Sequence, residues 1–309
     1  HSNLRSQEAE SHLLDMVHSP KDYFNVTIVF TIGFAIAYAC SFGALSYSGL
    51  PVIVCCMLVS FLVHWIAFIP SYAFRTEKYY DICGTLAYVL VLLTAIYLTT
   101  SASESSLHTR SILVIALVLI WALRLGFFLF IRVLKAGEDR RFREVKQKFS
   151  GFLVWWTLSA LWVFLTTVNA LVMIINNVSY HNDYYFYFGL VIWVAGFSFE
   201  VIADEQKRKF RSQSSNKEHF ISTGLWSISR HPNYFGEILL WIGMAVIAFP
   251  TLQGWQHISL ISPIFIYLLL TRMSGVNLLE KYADKKWGGD ENYQVYKRDT
   301  PVLIPFLKQ

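Results

Sequence analysis

The segment SRHPNYFGE holds the densest set of reactive side chains in this sequence. Pro232 suits the first turn of a helix because it has no N–H to lose, so Arg230 and His231 precede a helix N-terminus. The free N–H groups and the dipole at such an end favour a phosphate or a carboxylate. Asn233 and Glu237 are four residues apart and share a face. An anion site beside two amide-recognising groups is what a dinucleotide with a carboxamide head needs.

A second group of charges lies at the end of the preceding apolar run. Glu200 and Asp204 are four residues apart on one face, and a set of cations that includes Lys207 and Arg211 follows them. We interpret this as a pocket rim, with acceptors for hydroxyls or amides and cations for phosphates. The alternative is an ordinary helix end whose cations are attracted by the C-terminal dipole.

Two arginines lie inside another apolar run. Arg124 is about 11 residues from the end of its helix, or roughly 16 Å deep at 1.5 Å per residue. An ionisable side chain at such depth is costly unless it is paired or hydrated, so Arg124 indicates a buried anionic partner or a wet cavity. Arg132 shares its face, with Phe128 between them, and can extend to the membrane surface.

The C-terminal stretch mixes aromatic and charged residues, unlike a lipid-facing span. Pro301 and Pro305 prevent a long helix there. We predict a cap that folds back over the mouth of the bundle and lines the site with Glu280, Tyr282, Tyr293 and Tyr296. The alternative is a membrane-surface tail with interfacial aromatics.

The elements that position these residues must be membrane helices. Of the 309 residues, 55% are hydrophobic and 15% are charged, and the mean hydropathy is +0.43. A soluble domain carries about 25% charge, so most of this surface must face lipid. A soluble enzyme, a disordered chain and a disulfide scaffold are excluded. The four cysteines lack the paired spacing of a zinc site, so we predict no metal.

Runs of roughly 20 apolar residues predict an all-α, polytopic bundle with about eight spans. The predicted spans are 25–48, 51–74, 80–100, 110–134, 151–177, 184–203, 235–250 and 256–275. We divide the chain into a polar N-terminal segment (1–24), a transmembrane bundle with cofactor-binding loops (25–275) and a C-terminal cap (276–309).

The basic residues indicate an orientation. With eight spans, 23 of the 26 lysines and arginines lie on the side shared by the two termini, and the opposite side receives Arg110. The positive-inside rule therefore predicts cytosolic termini, in the endoplasmic reticulum of a eukaryote or the inner membrane of a bacterium. The basic excess reflects this orientation and contact with phospholipid. The basic segments lack the separate folded module that nucleic-acid binding needs. The sequence indicates no obligate protein partner.

Several segments resemble the integral membrane reductases of the steroid 5α-reductase and sterol-reductase type. They are RHPNYFGE preceded by GLW, the tail YKRDTPVLIPF, WALRLGFFLFIRVLKAGEDRRF and LLLTRMSGVNLLEKY. The whole pattern is most similar to a poorly characterised branch of that superfamily. The resemblance is strongest over 196–306 and weaker over 75–150. It implies a seven-helix core that holds NADPH from the cytosolic side, with the first span as an addition.

The resemblance also implies roles for particular residues. Asn233 and Glu237 match the nicotinamide-proximal pair of the family, and Arg124 matches an arginine near the cofactor. Together with the analysis above, the residues expected at NADPH are Arg124, Arg132, Glu200, Asp204, Lys207, Arg211, Arg230, His231, Asn233, Tyr234, Glu237, Glu280 and Tyr296.

Two departures from the family pattern concern the chemistry. Glu280 stands roughly where those reductases have a histidine. The glutamate and tyrosine that polarise the substrate ketone in the 5α-reductases correspond here to Asp81 and Trp121, and an indole cannot donate a phenolic proton. We therefore expect Asp81 as the catalytic acid, with Tyr88 as the next candidate.

Three functions are compatible with these observations. The first is an NADPH-dependent reductase of a C=C bond in a hydrophobic substrate such as a steroid, a sterol, a polyprenoid or a long-chain enoyl thioester. The second is a membrane methyltransferase of the isoprenylcysteine carboxyl type, whose S-adenosylmethionine has no phosphate and leaves the cations 207–211 without a role. The third is a non-catalytic lipid-binding protein.

Overall fold

A computed structural model describes residues 18–179, 184–273 and 275–307, without the side chain of Arg140. The first half forms α1 (Pro20–Cys40), β1 (Ser46–Tyr47), β2 (Leu50–Pro51), α2 (Val52–Ala73), α3 (Tyr80–Ser103), α4 (Thr109–Ala136) and α5 (Phe149–Asn176). The second half forms α6 (Tyr184–Ser212), α7 (Pro232–Ala248), α8 (Ile261–Leu268), a π-helical turn (Leu269–Met273), α9 (Val276–Trp287) and α10 (Glu291–Asp299).

The prediction of an all-α membrane bundle is confirmed. Within the described residues, eight helical segments are long and apolar enough to cross a membrane. The two-residue strands β1 and β2 form a small antiparallel hairpin, which is the one sheet in the described part of the chain. The protein is therefore an integral, multi-pass membrane protein.

Five predicted boundaries are corrected. The first span begins at Pro20, inside the predicted polar segment 1–24, because Pro20 suits the first turn of a helix. The same span ends at Cys40 rather than 48, because Gly43 takes a positive φ and the hairpin follows. The sixth helix continues past 203 to Ser212, since its polar end lies outside lipid and still satisfies its backbone groups by helix bonds. The seventh span begins at Pro232, not 235, and the eighth is broken near residue 269 by the π-helical turn. Residues 1–17 of the predicted N-terminal segment lie outside the described part.

The chain divides into two units. The first contains α1 to α5 together with residues 251–259. Its centre is α5, which packs against each of α1 to α4. Every residue of α5 from Val163 to Ile175 is buried, and an apolar helix that is buried all round must lie at the middle of a bundle. The aromatic side chains of Phe68, Phe142, Phe152 and Trp156 add a second cluster to this core.

The connections of the first unit meet at two ends. At one end, Lys146 Nζ lies 2.7 Å from Glu77 Oε2, and Arg75 donates to the carbonyl oxygens of Lys146 and Gln147. At the other end, the Asn177 side chain accepts from the backbone N–H of His108 and donates to the Ser106 carbonyl. The loops thus alternate between two ends along α1 to α5, as successive spans require, and the basic loops 74–79 and 137–148 share one of them.

The second unit contains α6 to α10, and its main contact is the pairing of α6 with α7. The buried positions of α6 recur every three or four residues: Phe186, Gly189, Trp193, Gly196, Glu200, Ala203 and Asp204. Glycines let the two backbones touch. A Cβ at Gly196 would lie 2.6 Å from the Gly236 carbonyl oxygen, and one at Gly243 would lie 2.7 Å from that of Gly189. Small residues at such contacts are the usual way that membrane helices approach closely.

Candidate functional site

The N-terminus of α7 carries the motif that stood out in the sequence. Pro232 occupies the first helical position and His231 the position before it, as predicted. A left-handed glycine, Gly224, opens the short turn that precedes the motif, where the Trp226 indole donates to the Ala203 carbonyl of α6. The GLW segment therefore fixes the chain that enters α7 against the end of α6.

Arg230 and His231 share one acidic partner, Glu280 of α9. Arg230 Nη1 lies 2.7 Å from Glu280 Oε2, and His231 Nε2 lies 2.8 Å from Glu280 Oε1. Burial lowers the pKa of His231, with the charges of Lys207 and Arg230 acting in the same direction and Glu280 opposing them. The structure thus brings together three residues that the sequence assigned to the cofactor site, two of them 49 positions apart.

Buried acceptors line the α6–α7 contact beside this cluster. Glu200, Asp204 and Glu237 are all buried, and Asn233 Nδ2 donates to Asp204 Oδ1 at 3.2 Å. The close approach that Gly236 allows is to the α6 backbone: a Cβ there would lie 2.5 Å from the Glu200 amide nitrogen. The pairs predicted from four-residue spacing therefore lie where the two helices meet, joined by the bond between Asn233 and Asp204.

The cations at the end of α6 are engaged in different ways. Lys207 Nζ lies 4.5 Å from the Trp226 ring centroid, a cation–π contact. Arg208 forms a surface ion pair with Glu205. Arg211 donates to the backbone carbonyls of residues 216, 217 and 219, so this side chain also holds the loop after α6. The spacing of residues in the sequence did not predict that Arg211 bonds to these carbonyls.

The C-terminal segment contacts the loop between α6 and α7. Tyr296 donates to the Trp226 carbonyl at 2.6 Å, and Trp287 donates to the Glu218 carbonyl at 2.6 Å. The backbone N–H of Arg230 bonds to Pro301, and the buried Ser229 hydroxyl to Leu303. The His231 and Tyr234 rings stack nearly parallel with centroids 5.7 Å apart. The sequence analysis assigned no role to Ser229 or Trp287, although each lies within a segment that it used.

The remaining predicted residues belong to the first unit. Asp81 lies in the first turn of α3, where the charges of Arg141 and Arg132 act on it. The Tyr88 hydroxyl lies 2.7 Å from Thr166 Oγ1, and its ring packs edge-on against Trp121. Arg124 lies 5.1 Å from the Phe128 ring, which confirms their predicted shared face, and Arg132 is exposed near the end of α4.

The first unit also contains an acidic residue that sequence reasoning missed. Glu77 is 3% exposed, forms an ion pair with Lys146 and accepts from the backbone N–H of Asp139. The Asp139 carboxylate accepts hydrogen bonds from the Arg141 side chain. Burial raises the pKa of Asp139, but the hydrogen bonds and charge of Arg141 outweigh it and lower that pKa. Among the described residues, no group of three or more His, Cys, Asp or Glu side chains is placed to hold a metal.

Comparison with known proteins places the chain in a family. The family described as protein of unknown function DUF1295 matches residues 67–300. The chain belongs to the DUF1295 family. The matched range begins in the last turns of α2 and runs through α10, so α1 and most of α2 lie outside it.

Curated relatives of this DUF1295 protein are reductases. Steroid 5-alpha-reductase DET2 of Gossypium hirsutum is 29% identical over 137 residues, which are 41% of this chain and 46% of that protein. The 3-oxo-5-alpha-steroid 4-dehydrogenase 1 of Bos taurus is 26% identical over 127 residues, 41% of this chain and 44% of that protein. The very-long-chain enoyl-CoA reductase of Dictyostelium discoideum is 31% identical over 121 residues, which are 39% of this chain and 36% of that protein.

These matches confirm the resemblance to the steroid 5α-reductase group. The chain spans less than half the length of each of these relatives. No solved structure matches the chain.

Proposed function

We propose that this protein is a membrane-embedded, NADPH-dependent reductase of a C=C bond in a hydrophobic substrate. The observation that carries the proposal is the surface of α6 and α7 where the buried Glu200, Asp204 and Glu237 and the half-buried Asn233 lie beside the cations that end α6. Buried carboxylates beside an amide suit the hydroxyl and amide groups of a dinucleotide, and the neighbouring cations suit its phosphates. The names of the relatives support the same class of reaction.

In this proposal residues of α6 and α7 would hold the cofactor. Glu237 would accept from the carboxamide NH₂ of the nicotinamide, and Asn233, held by Asp204, would bond a neighbouring polar group. Lys207 and Arg211 would hold the phosphates, with Arg211 contributing while it holds the loop carbonyls. NADPH bound there supplies a hydride; the protein supplies orientation and a proton.

The proton source in this proposal is Asp81, with Tyr88 as the alternative. Asp81 acts on the substrate, polarising a conjugated carbonyl or protonating the adjacent carbon. Tyr88 is fully engaged in the first unit by Thr166 and Trp121, so it would have to exchange its hydrogen bond with Thr166 for one to the substrate. Steroids, sterols, polyprenoids and long-chain enoyl thioesters all remain within this substrate class.

A methyltransferase is the second candidate, favoured by one observation. The cluster of Arg230, His231 and Glu280 has no net charge when the histidine is neutral, and S-adenosylmethionine brings no phosphate. A methyl transfer of the isoprenylcysteine carboxyl type would leave the dense cations at the end of α6 without a ligand. The reductase therefore ranks first.

Ligand-dependent thermal shifts of the purified protein test the assignment. NADPH should raise the melting temperature, NADH less, and S-adenosylmethionine not at all. Asp204→Asn should weaken NADPH about tenfold or more, because it removes an acceptor of the buried surface. Glu205→Gln is the matched control on the exposed side of the same helix and should change affinity less than twofold. A shift by S-adenosylmethionine and none by NADPH would replace the reductase with the methyltransferase.

Catalytic and binding roles are separated by three further variants. Glu237→Gln should weaken NADPH, whereas Asp81→Asn should keep its affinity and reduce single-turnover hydride transfer at least a hundredfold. Arg211→Ala should weaken NADPH more than NADH, with the melting temperature of the ligand-free variant as the control for its loop contacts. Normal turnover by Asp81→Asn would transfer the acid role to Tyr88.

A further inference from the structure

One ring nitrogen at the N-terminus of α7 is buried with nothing to bond. The His231 side chain is 6% exposed, and its Nδ1 has no hydrogen-bond partner among the residues that the structure describes. The other nitrogen, Nε2, lies 2.8 Å from Glu280 Oε1. Because a carboxylate can only accept, Nε2 carries the proton and Nδ1 presents a lone pair when the ring is neutral. Buried polar atoms rarely stay unpaired, so this atom points to a ligand.

The charges around His231 keep its ring neutral. Glu280 on α9 faces two basic groups, and Arg230 is always charged, so its ion pair already neutralises the carboxylate. A protonated ring would add an uncompensated buried charge, close to Lys207 of α6 as well. The stacked Tyr234 ring holds the plane of the imidazole. Both the tautomer and the orientation of the ring are therefore set by its neighbours before any ligand arrives.

We propose that Glu280 is a positioning residue that fixes the Nε2–H tautomer of His231, so that Nδ1 accepts a hydrogen bond from an N–H or O–H donor of the ligand. For a nicotinamide dinucleotide, which is the ligand of the proposed function, the donor is the carboxamide NH₂ or a ribose hydroxyl. The identity of that donor rests on the proposed function; the tautomer does not.

The start of α7 then suits a different kind of group from the one that the sequence indicated. The sequence suggested an anion site, with Arg230 and His231 as cations at a helix N-terminus. With Arg230 paired to Glu280 and His231 neutral, the cluster offers one acceptor and no net charge. A neutral polar part of the ligand belongs here, and the phosphates belong with the cations that end α6.

Nitrogen NMR of the full-length protein, labelled with ¹⁵N-histidine in nanodiscs, tests the tautomer directly. Signals that vanish in His231→Asn belong to His231. At pH 7.5 they should show a protonated Nε2 and an unprotonated Nδ1, and Glu280→Gln should add the opposite tautomer as a second set. A doubly protonated ring, a protonated Nδ1, or an unchanged spectrum in Glu280→Gln would overturn the proposal.

A pair of substitutions tests the acceptor. Asparagine places its side-chain amide near the position of Nδ1, whereas glutamine reaches the position of Nε2. With ligand contact through Nδ1, His231→Asn should bind NADPH within about threefold of the unaltered protein, and His231→Gln should lose at least tenfold. The reverse order would show that the bond to Glu280 is what matters and would overturn the proposed contact.

Failure of the proposed function gives a different pattern. If the unaltered protein does not bind NADPH, the reductase assignment fails, and the NMR experiment still decides the tautomer. The same pair of variants is then titrated with S-adenosylmethionine, whose amine and ribose hydroxyls are also donors. The order of their affinities again supports or overturns the contact at Nδ1. Melting temperatures of both variants without ligand confirm that each is folded.

Discussion

The central helix of the first unit and the α6–α7 contact of the second are packed in different ways. From Val163 to Ile175, α5 buries every residue behind large apolar side chains of its neighbours. The α6–α7 pair meets along a narrow stripe through glycines, and buried carboxylates occupy the same stripe. Large apolar side chains fill the core around α5. In the α6–α7 contact the two backbones touch at glycines, and polar side chains lie in the same stripe.

The largest expected loss of stability comes from removing a large side chain from the core around α5. Phe164 is fully buried in α5, so Phe164→Ala should lower the free energy of unfolding by about 3–5 kcal/mol. Phe127 of α4 is 53% exposed, and Phe127→Ala should cost much less. Reversible unfolding in detergent measures both. Equal losses would mean that α5 is not the core that its burial indicates.

A smaller loss of stability is expected when a side chain is added to the α6–α7 contact. Gly196→Ala places a methyl group against the α7 backbone and should cost about 1–3 kcal/mol, because neither helix backbone can yield locally. At Gly84 of α3 the nearest atom to a new Cβ is Ser159 Oγ at 4.0 Å, so Gly84→Ala should be neutral or slightly stabilising. A neutral Gly196→Ala would contradict close backbone contact as the basis of this pairing.

The polar connection of the first unit should show an intermediate effect. Glu77→Gln keeps an acceptor for the Asp139 backbone N–H but removes the charge that pairs with Lys146, and it should cost about 1–3 kcal/mol. The exposed pair of Glu205 and Arg208 is the comparison, and Glu205→Gln should not measurably change the melting temperature. Stability that is insensitive to Glu77→Gln would show that the two basic loops are held by other contacts.

The smallest effect concerns pH and the second unit. The pKa of His231 is lower in the folded protein than its ordinary value near 6.5, so above that pH both states hold a neutral ring. Below it the unfolded chain binds a proton that the folded one does not, and stability falls by at most about 1.4 kcal/mol per pH unit. The drop in melting temperature between pH 7.5 and 5.5 should be smaller in His231→Asn than in the unaltered protein. An equal drop in both proteins would count against this burial effect.

Much of this architecture was predictable because hydropathy is a local property. Eight apolar runs predicted the eight helical segments that, in the described part of the chain, are long and apolar enough to cross a membrane, and Pro232 marks the start of α7 through its own ring geometry. The spacing of Glu200 from Asp204, and of Asn233 from Glu237, placed each pair on one helix face. Predicted helix ends were wrong where a local change of backbone conformation ended the helix inside an apolar run, as at Gly43 and the hairpin after Cys40.

The sequence by itself therefore determined the membrane class, the number of spans, the uneven charge of their connections and the residue types available for chemistry. The tertiary structure decided which of those residues meet. Asn233 bonds Asp204 because glycines set the register of α6 on α7, and His231 meets Glu280 because α9 returns 49 residues later. Pairings between distant residues depend on the depth and rotation of packed helices. Because no local pattern of residues encodes these quantities, the neutral tautomer of His231 follows from the fold and not from the motif.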